Sequence, residues 1–234
     1  MAKIYIGTSG WSYPAGEGTW KGYFYPLGTK NELEYYSCFF NTVEVNSSFY
    51  CPPNPVYVAN WVKRTPPCFL FTVKLPQKFT HPNMYRESAG KETMISIADI
   101  DVFRQSLEPL VKADKMGALL TQFPPSFKNN DFDKQILEIL AKSFGQYHLA
   151  VELRDRSWSD DSSTKDILKQ NNTAWVQIDE PKFASSIASE TPLNAIWLTS
   201  VFMAGMPKCG GKVMSKHDIS ISTRLRKSMN LPQK

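Results

Sequence analysis

The sequence predicts an α/β chain whose parallel strands form a (β/α) barrel, and three observations carry that expectation. Six short strand-like segments alternate with helical or partly helical connections, the pattern of a parallel sheet. No G-x-G-x-x-G follows the first strand, which favours a barrel over a doubly wound sheet. Polar or charged residues (Glu44, Asn46, Lys74, Gln122, Glu152, Arg154 and Asp179) recur near predicted strand C-terminal ends, where barrel enzymes place their chemistry.

Residues 3–7 (KIYIG) read as the first strand, entering the turn-rich GTSGWSYPAGEGTW, whose Gly and Ser residues suit a loop lining a site. Residues 32–40 have helical spacing in Leu33, Tyr36 and Phe40. The next strand lies within 40–50 (FNTVEVNSSFY), with Thr42, Glu44 and Asn46 on one face and Val43 and Val45 on the other. Residues 55–64 form a short helix through Val58, Trp61 and Val62, stopped by Thr-Pro-Pro. Residues 69–75 (FLFTVKL) read as a strand buried on both sides apart from Lys74.

Residues 76–93 are expected to be irregular, and 101–112 helical through Phe103, Leu107, Leu110 and Val111. Strand 116–123 (MGALLTQF) is closed by two prolines, and the helix at 131–144 carries an apolar stripe of Phe132, Ile136, Ile139 and Leu140. Strand 148–153 (HLAVEL) leads into the loop DRSW, helix 163–170 follows, and strand 174–178 (AWVQI) delivers Asp179.

The 234 residues, 42% hydrophobic and 21% charged, suit a soluble globular chain able to bury a full core. No apolar run of about 18 residues appears, and residues 1–10 lack a signal-peptide pattern, so a cytoplasmic protein without a membrane partner is expected. Cys38, Cys51, Cys68 and Cys209 are scattered without metal or redox spacing and read as reduced thiols; a metal site built from the three histidines alone is not expected. From Thr191 onward five Lys and two Arg face the single Asp218, a surplus of six, which leaves −1 of the net +5 for residues 1–190. The positive charge therefore sits in the tail, and a nucleic-acid partner is disfavoured.

Seven segments carry a resemblance: GTSGW at 7–11, TVEVNSSFY at 42–50, the Thr-Pro at 65–66, FTVKLP at 71–76, QFPPSF at 122–127, AVELRDRSW at 150–158 and QIDEP at 177–181. In order and spacing they resemble the domain-of-unknown-function-72 family, the YecE-like proteins, over residues 3 to about 185. The resemblance implies a TIM-type barrel and no assigned reaction. After about residue 186 the chain departs from the family's pattern, which continues with a strand of the Tyr-Val-Arg-Leu-His-Gly-Arg-Asn kind and a Met-Trp-Trp segment. Back-translating Leu198 to Lys212 and reading each codon from the third base of one residue and the first two of the next permits YVRLHGRNAEMWWK. The expectation is a barrel-type domain of about six βα units at 1–186 and a poorly ordered basic tail at 187–234, translated out of frame after a frameshift near residues 187–198, with family strands seven and eight missing. An incomplete barrel leaves open edges, so low solubility or poor cooperativity is expected of it.

Glu44 and Glu152 are the candidate acid/base or glycosidic pair, each at a predicted strand end, unless each merely caps a loop amide or pairs with an arginine. Lys74, an ammonium ending an apolar strand, pairs with Glu44, holds a substrate anion or forms a Schiff base. Arg154 suits a carboxylate or phosphate clamp, with pairing to Asp155 or Asp179 as the plainer role. Asn46, Gln122 and Asp179 are candidates to orient a substrate, Trp11, Tyr13, Tyr50 and Trp158 to wall it, and His81 to shuttle protons or serve structure. A metal held by Glu44, His81, Glu152 and Asp179 is disfavoured by the nearby cations. Two readings compete: a hydrolase or isomerase acting on a small polar, anionic or sugar-like molecule, and a small-ligand-binding barrel without turnover or an inactive truncated relative. Cofactor and oligomeric state stay open. Resequencing the gene across codons 187–212 is expected to reveal an insertion or deletion; an intact frame would refute the frameshift.

Overall fold

The computed structural model describes residues 3–13, 19–90, 94–178, 183–188 and 200–201. Five strands, β1 (Thr42–Val45), β2 (Leu70–Lys74), β3 (Met116–Gln122), β4 (Leu149–Glu152) and β5 (Thr173–Trp175), form one sheet in sequence order, every pair parallel. Helix α1 (Glu32–Ser37) precedes β1, and α2 (Pro55–Lys63) crosses to β2. Helices α3 (Gln77–Thr80), α4 (Pro82–Ala89) and α5 (Ile97–Lys112) lead to β3. Helix α6 (Asp131–Ser143) leads to β4, while α7 (Arg156–Asp160) and α8 (Ser163–Gln170) lead to β5. Strand β6 (Gln177–Ile178) pairs in parallel with β7 (Ser200–Val201) in a separate two-stranded sheet. The strand order never reverses, as a doubly wound sheet requires. Among the described residues the sheet is open, and a closed barrel is not formed.

Several expectations are corrected. Residues 3–7 make no strand; the segment follows β1 through one bridge between Ser9 and Glu44. The Asn41 side chain explains this, because it accepts from Ile6 N at 2.6 Å and donates to Ile4 O at 2.9 Å, taking the place of ladder bonds. Of the segment 76–93, expected to be irregular, residues 76–90 hold α3 and α4, and 91–93 lie outside the described residues. Pro82 stands at the start of α4, where no N–H is needed, and Gly90 closes it with a left-handed φ of 59°. The DRSW loop is the start of α7, whose Asp155 cap accepts from Ser157 N at 3.0 Å. The strand at 174–178 is split into β5 and β6 at Val176, whose N–H turns to Val151 O. Of the tail at 187–234, only 187–188 and 200–201 fall within the described residues.

Two apolar clusters lie on the two faces of the sheet. Side chains two residues apart share a face. Val43, Val45, Phe71, Val73, Leu119, Leu149 and Val151 thus point to the helix side and join Val58, Leu107, Leu110, Leu140 and Leu168 in the large core. The opposite face holds a small cluster of Ala118, Leu120, Ala150 and Val176. The register pairs Glu44 with Thr72, Lys74 with Leu120 and Gln122 with Glu152. Stepping by two along β2 and β3 therefore puts Glu44, Lys74, Gln122 and Glu152 all on this second face, at the C-terminal ends of their strands.

The stripe of α6 also differs from the sequence reading. Leu137, Leu140 and Ala141 are buried, whereas Phe132 and Ile139 are 70% and 55% exposed. The inward spacing is 137, 140, 141 and 144, a helical i, i+3, i+4, i+7 pattern one residue out of phase with the expected one. Leu137→Ala should therefore cost about 2–5 kcal/mol in denaturant unfolding and Ile139→Ala within about 0.5 kcal/mol; the reverse order would place α6 in the wrong rotation.

Candidate functional site

The strand ends are brought under one cluster by backbone features that the residue types impose. A Cβ at Gly7 would lie 2.0 Å from Thr42 O, so only glycine lets the N-terminal segment come this close to β1. Gly10 has φ 91° and donates its N–H to Glu44 O at 2.9 Å. These contacts hold Ser9 over the end of β1, where its Oγ donates to Glu44 Oε1 at 2.9 Å. Asn46 leaves the start of the 3-10 turn at Ser47–Phe49 uncapped and donates to Ser9 Oγ instead. Tyr13 donates to Ser9 O.

The same turn sets the surroundings of Lys74. Ser48 Oγ lies 2.7 Å from both Val45 O and Lys74 O, joining the end of β1 to the end of β2. Phe49 is thereby placed with its ring 4.7 Å from Lys74 Nζ and edge-on to the His81 ring at 5.0 Å. The expected pairing of Lys74 with Glu44 is not made at bonding distance: among the described residues no carboxylate lies within 4.0 Å of Lys74 Nζ.

Glu152 ends β4 wholly buried. Its Oε1 accepts from Gln122 Nε2 at 2.5 Å, from Arg154 Nε at 2.9 Å and from Arg154 Nη2 at 2.8 Å. Its Oε2, also buried, has no hydrogen-bond partner. Arg154 thus pairs with Glu152, and the side chain of Arg154 stays 20% exposed. This geometry gives Glu152 the role of fixing Arg154, and it leaves Glu44 as the carboxyl group nearer to solvent.

The electrostatics follow from burial among these charges. Burial pushes the Glu44 carboxyl above its ordinary range, helped by the Glu152 charge and opposed by the Ser9 hydrogen bond and Lys74. The Lys74 ammonium is pushed down by burial and by Arg154, against the pull of Glu44 and Glu152. His81 falls to about 4, through burial first and then through Lys74 and Arg154, while its Nδ1 lies 2.8 Å from Thr80 Oγ1. Tyr13 is raised by burial and by Glu44.

The structure therefore gathers Glu44, Asn46, Lys74, His81, Gln122, Glu152, Arg154 and Tyr13, and adds two residues that the sequence reading did not single out, Ser9 and Phe49. Ser9 lies in the GTSGW loop that was read as site-lining, but its bond to Glu44 depends on a close approach invisible in one dimension. The aromatic walls fare differently. Trp158 is wholly buried, stacked on Phe127 and donating to Phe127 O at 3.0 Å, so it belongs to the core rather than to a site wall. Trp11 packs against Trp61 at 5.4 Å beside the large core, and Tyr50 is 73% exposed against Phe49. Asp179 lies outside the described residues. No group of three or more potential metal ligands occurs among the described residues, nor is any helix there long and apolar enough to cross a membrane.

A parallel α/β sheet carrying a polar cluster at its strand C-terminal ends defines the class of protein. The model of the DUF72 family, "Protein of unknown function DUF72", matches residues 5–203, and the chain belongs to that family. It is 33% identical over 157 residues to the UPF0759 protein YunF of Bacillus subtilis, covering 66% of this chain and 52% of that protein. To the UPF0759 protein YecE of Escherichia coli K12 it is 28% identical over 151 residues, covering 64% and 48%. The chain thus spans about half the length of these relatives in the matched regions. Its fold is similar to that of a DUF72 family protein from Thermotoga maritima, with TM-score 0.69, 29% identity and coverage of 95% and 87%. It is also similar to one from Enterococcus faecalis, with TM-score 0.72, 20% identity and coverage of 97% and 85%.

The position of His81 has a consequence for pH. Its folded value lies below that of a free histidine, so its contribution to stability is full above about pH 6.5 and is lost as pH falls toward 4. An NMR titration should find the His81 ring still neutral at pH 5.5, between those values. Replacing His81 by Phe should flatten the stability profile across that window; three histidines titrating near 6.5 would contradict the placement.

Proposed function

We propose that the chain is the larger part of a TIM-type (β/α) barrel enzyme, a hydrolase or isomerase acting on a small polar molecule with an anionic group. The sequential parallel strands, the small inner cluster of Ala118, Leu120, Ala150 and Val176, and polar groups at the strand C-terminal ends support the barrel. An out-of-frame tail belongs to the same proposal, since closing the barrel would need the family's strands seven and eight.

One observation carries the functional reading. A half-buried ammonium, Lys74, has no carboxylate within 4.0 Å among the described residues, although Glu44 and Glu152 act on it electrostatically, and Glu152 Oε2 is buried with no hydrogen-bond partner among them. A cluster built only for stability would match Glu152 Oε2, because an unmatched buried polar group costs about 1–3 kcal/mol. Left open, Lys74 and Arg154 offer positive charge to an anion, and Glu152 Oε2 accepts from a substrate hydroxyl or amide. Glu44, with a raised pKa and a serine fixing its orientation, is the acid/base.

Thermal-shift screening against phosphorylated and carboxylated metabolites should find stabilising anions, and product analysis should then find one of them converted. Glu44→Gln should abolish conversion and keep the thermal shift. Anion binding without conversion by the unmodified protein would support a ligand-binding barrel instead, and no stabilising anion at all would remove the site.

A further inference from the structure

The reading above leaves Lys74 as one of two cations, but its setting differs from that of Arg154. Arg154 is anchored by two nitrogens on Glu152 Oε1, an arrangement that fixes a permanent charge. Lys74 sits in β2 opposite Leu120, its backbone carbonyl accepts from Ser48, and its amine lies over the face of Phe49 with no ion pair among the described residues. We propose that Lys74 Nζ is a nucleophile that forms a Schiff base with an aldehyde or ketone carrying an anionic group, the anion being held by Arg154.

The proposal rests on the reading of the site as an anion-accepting enzyme centre and names its substrate class. An amine nucleophile must be aimed, must be free of a tight carboxylate partner, and needs a proton donor beside it. Phe49 aims the amine, no described carboxylate lies within 4.0 Å of it, and Glu44 stands on the adjacent strand, its backbone one residue from the position opposite Val73. The charged and titratable groups acting on the amine are Glu44 from β1, Glu152 and Arg154 from β4 and its exit, and His81 from the turn after α3. Burial and Arg154 outweigh the two carboxylates and lower the pKa of the amine, the direction a nucleophile needs.

The bookkeeping of atoms closes without an oxidant or reductant. The Nζ lone pair attacks the carbonyl carbon, the C=O π electrons move to oxygen, and the oxygen takes up the proton that the nitrogen gives up. The nitrogen lone pair of the resulting carbinolamine then forms the C=N bond as the C–O bond breaks. The departing hydroxyl takes a proton from the Glu44 carboxyl and leaves as water. The product is a protonated imine beside the Glu44 carboxylate, whose negative charge offsets it. Bond cleavage or proton loss at the adjacent carbon then has an electron sink, which suits isomerisation or carbon–carbon lysis.

The test is reductive trapping of the purified 234-residue chain with pyruvate or with dihydroxyacetone phosphate, each followed by sodium borohydride and peptide mass mapping. One of the two probes should give a single adduct on Lys74, and the choice distinguishes a carboxylate from a phosphate handle. Inorganic phosphate should suppress the adduct if the phosphate handle is used. Lys74→Arg, which keeps the charge, should reduce the adduct to background while the anion-induced thermal shift persists. If that shift persists in the unmodified protein but neither probe labels Lys74, or labelling is spread over surface lysines, the nucleophile is refuted and the anion site stands. Where Lys74→Arg does not fold, the site of labelling in the unmodified protein decides the matter alone.

Discussion

Glu152 is a wholly buried carboxyl group at the end of an interior strand, and the donors it needs there constrain everything around it. Removing one partner from a buried ion pair costs about 3–5 kcal/mol, so its donors are held in place as firmly as core residues. Gln122 reaches it because β3 and β4 pair Gln122 with Glu152 in register, and Arg154 reaches it from two residues further along the chain. All three donor nitrogens fall on Oε1, which leaves Oε2 unmatched in a dry setting. The positive charge of Arg154, fixed in this way, then helps to hold His81 neutral and to lower Lys74. Burial is the first cause of the shifts at Glu44, Lys74 and His81, and the charges of Glu152 and Arg154 modify them.

The arrangement depends equally on what lies beneath it. On the face opposite the helices, the small side chains Ala118 and Ala150 lie with Leu120 and Val176 beneath the polar layer. On the outer face large aliphatic and aromatic residues bind the helices. Pleating makes the polar groups inhabit the inner face as a set, since a shift of register by one residue would turn them all into the helix layer. Lys115 secures the opposite end of β3 by donating from inside the core to Val62 O, Thr65 O and Thr65 Oγ1. That buried lysine is fully matched, whereas Lys74 has no ion pair among the described residues.

Much of this was legible in one dimension, for physical reasons that also mark the limit. β2 and β3 announce themselves as apolar runs ending in Lys74 and Gln122, and β1 by strict alternation, because burial on one or two faces writes directly into residue type. The resemblance to the DUF72 family, read from seven short segments, agrees with the family match. Where a side chain substitutes for backbone, the reading failed: Asn41 occupies the bonds that a first strand would have made. The segment read as irregular holds two helices over its described residues, and Pro82 begins α4 where no N–H is needed. Trp158 looked like a site wall beside a conspicuous charged loop, yet its indole finds a carbonyl inside the core. The pairing of Glu152 with Arg154, only two residues away, was open to a sequence argument; the contacts of Ser9 with Glu44 and of Phe49 with Lys74 and His81 arise from the path of the chain in space.

The central claim is that the strand-end charges are arranged for an external anion and not for one another. Crystals of the protein soaked in tungstate, a heavy oxyanion of phosphate-like shape, measure this directly. The account predicts one anomalous peak within hydrogen-bonding distance of both Lys74 Nζ and the Arg154 guanidinium, with the Arg154 to Glu152 pair intact. Lys74 closed onto Glu44 in a salt bridge, with tungstate confined to surface lysines, would contradict it.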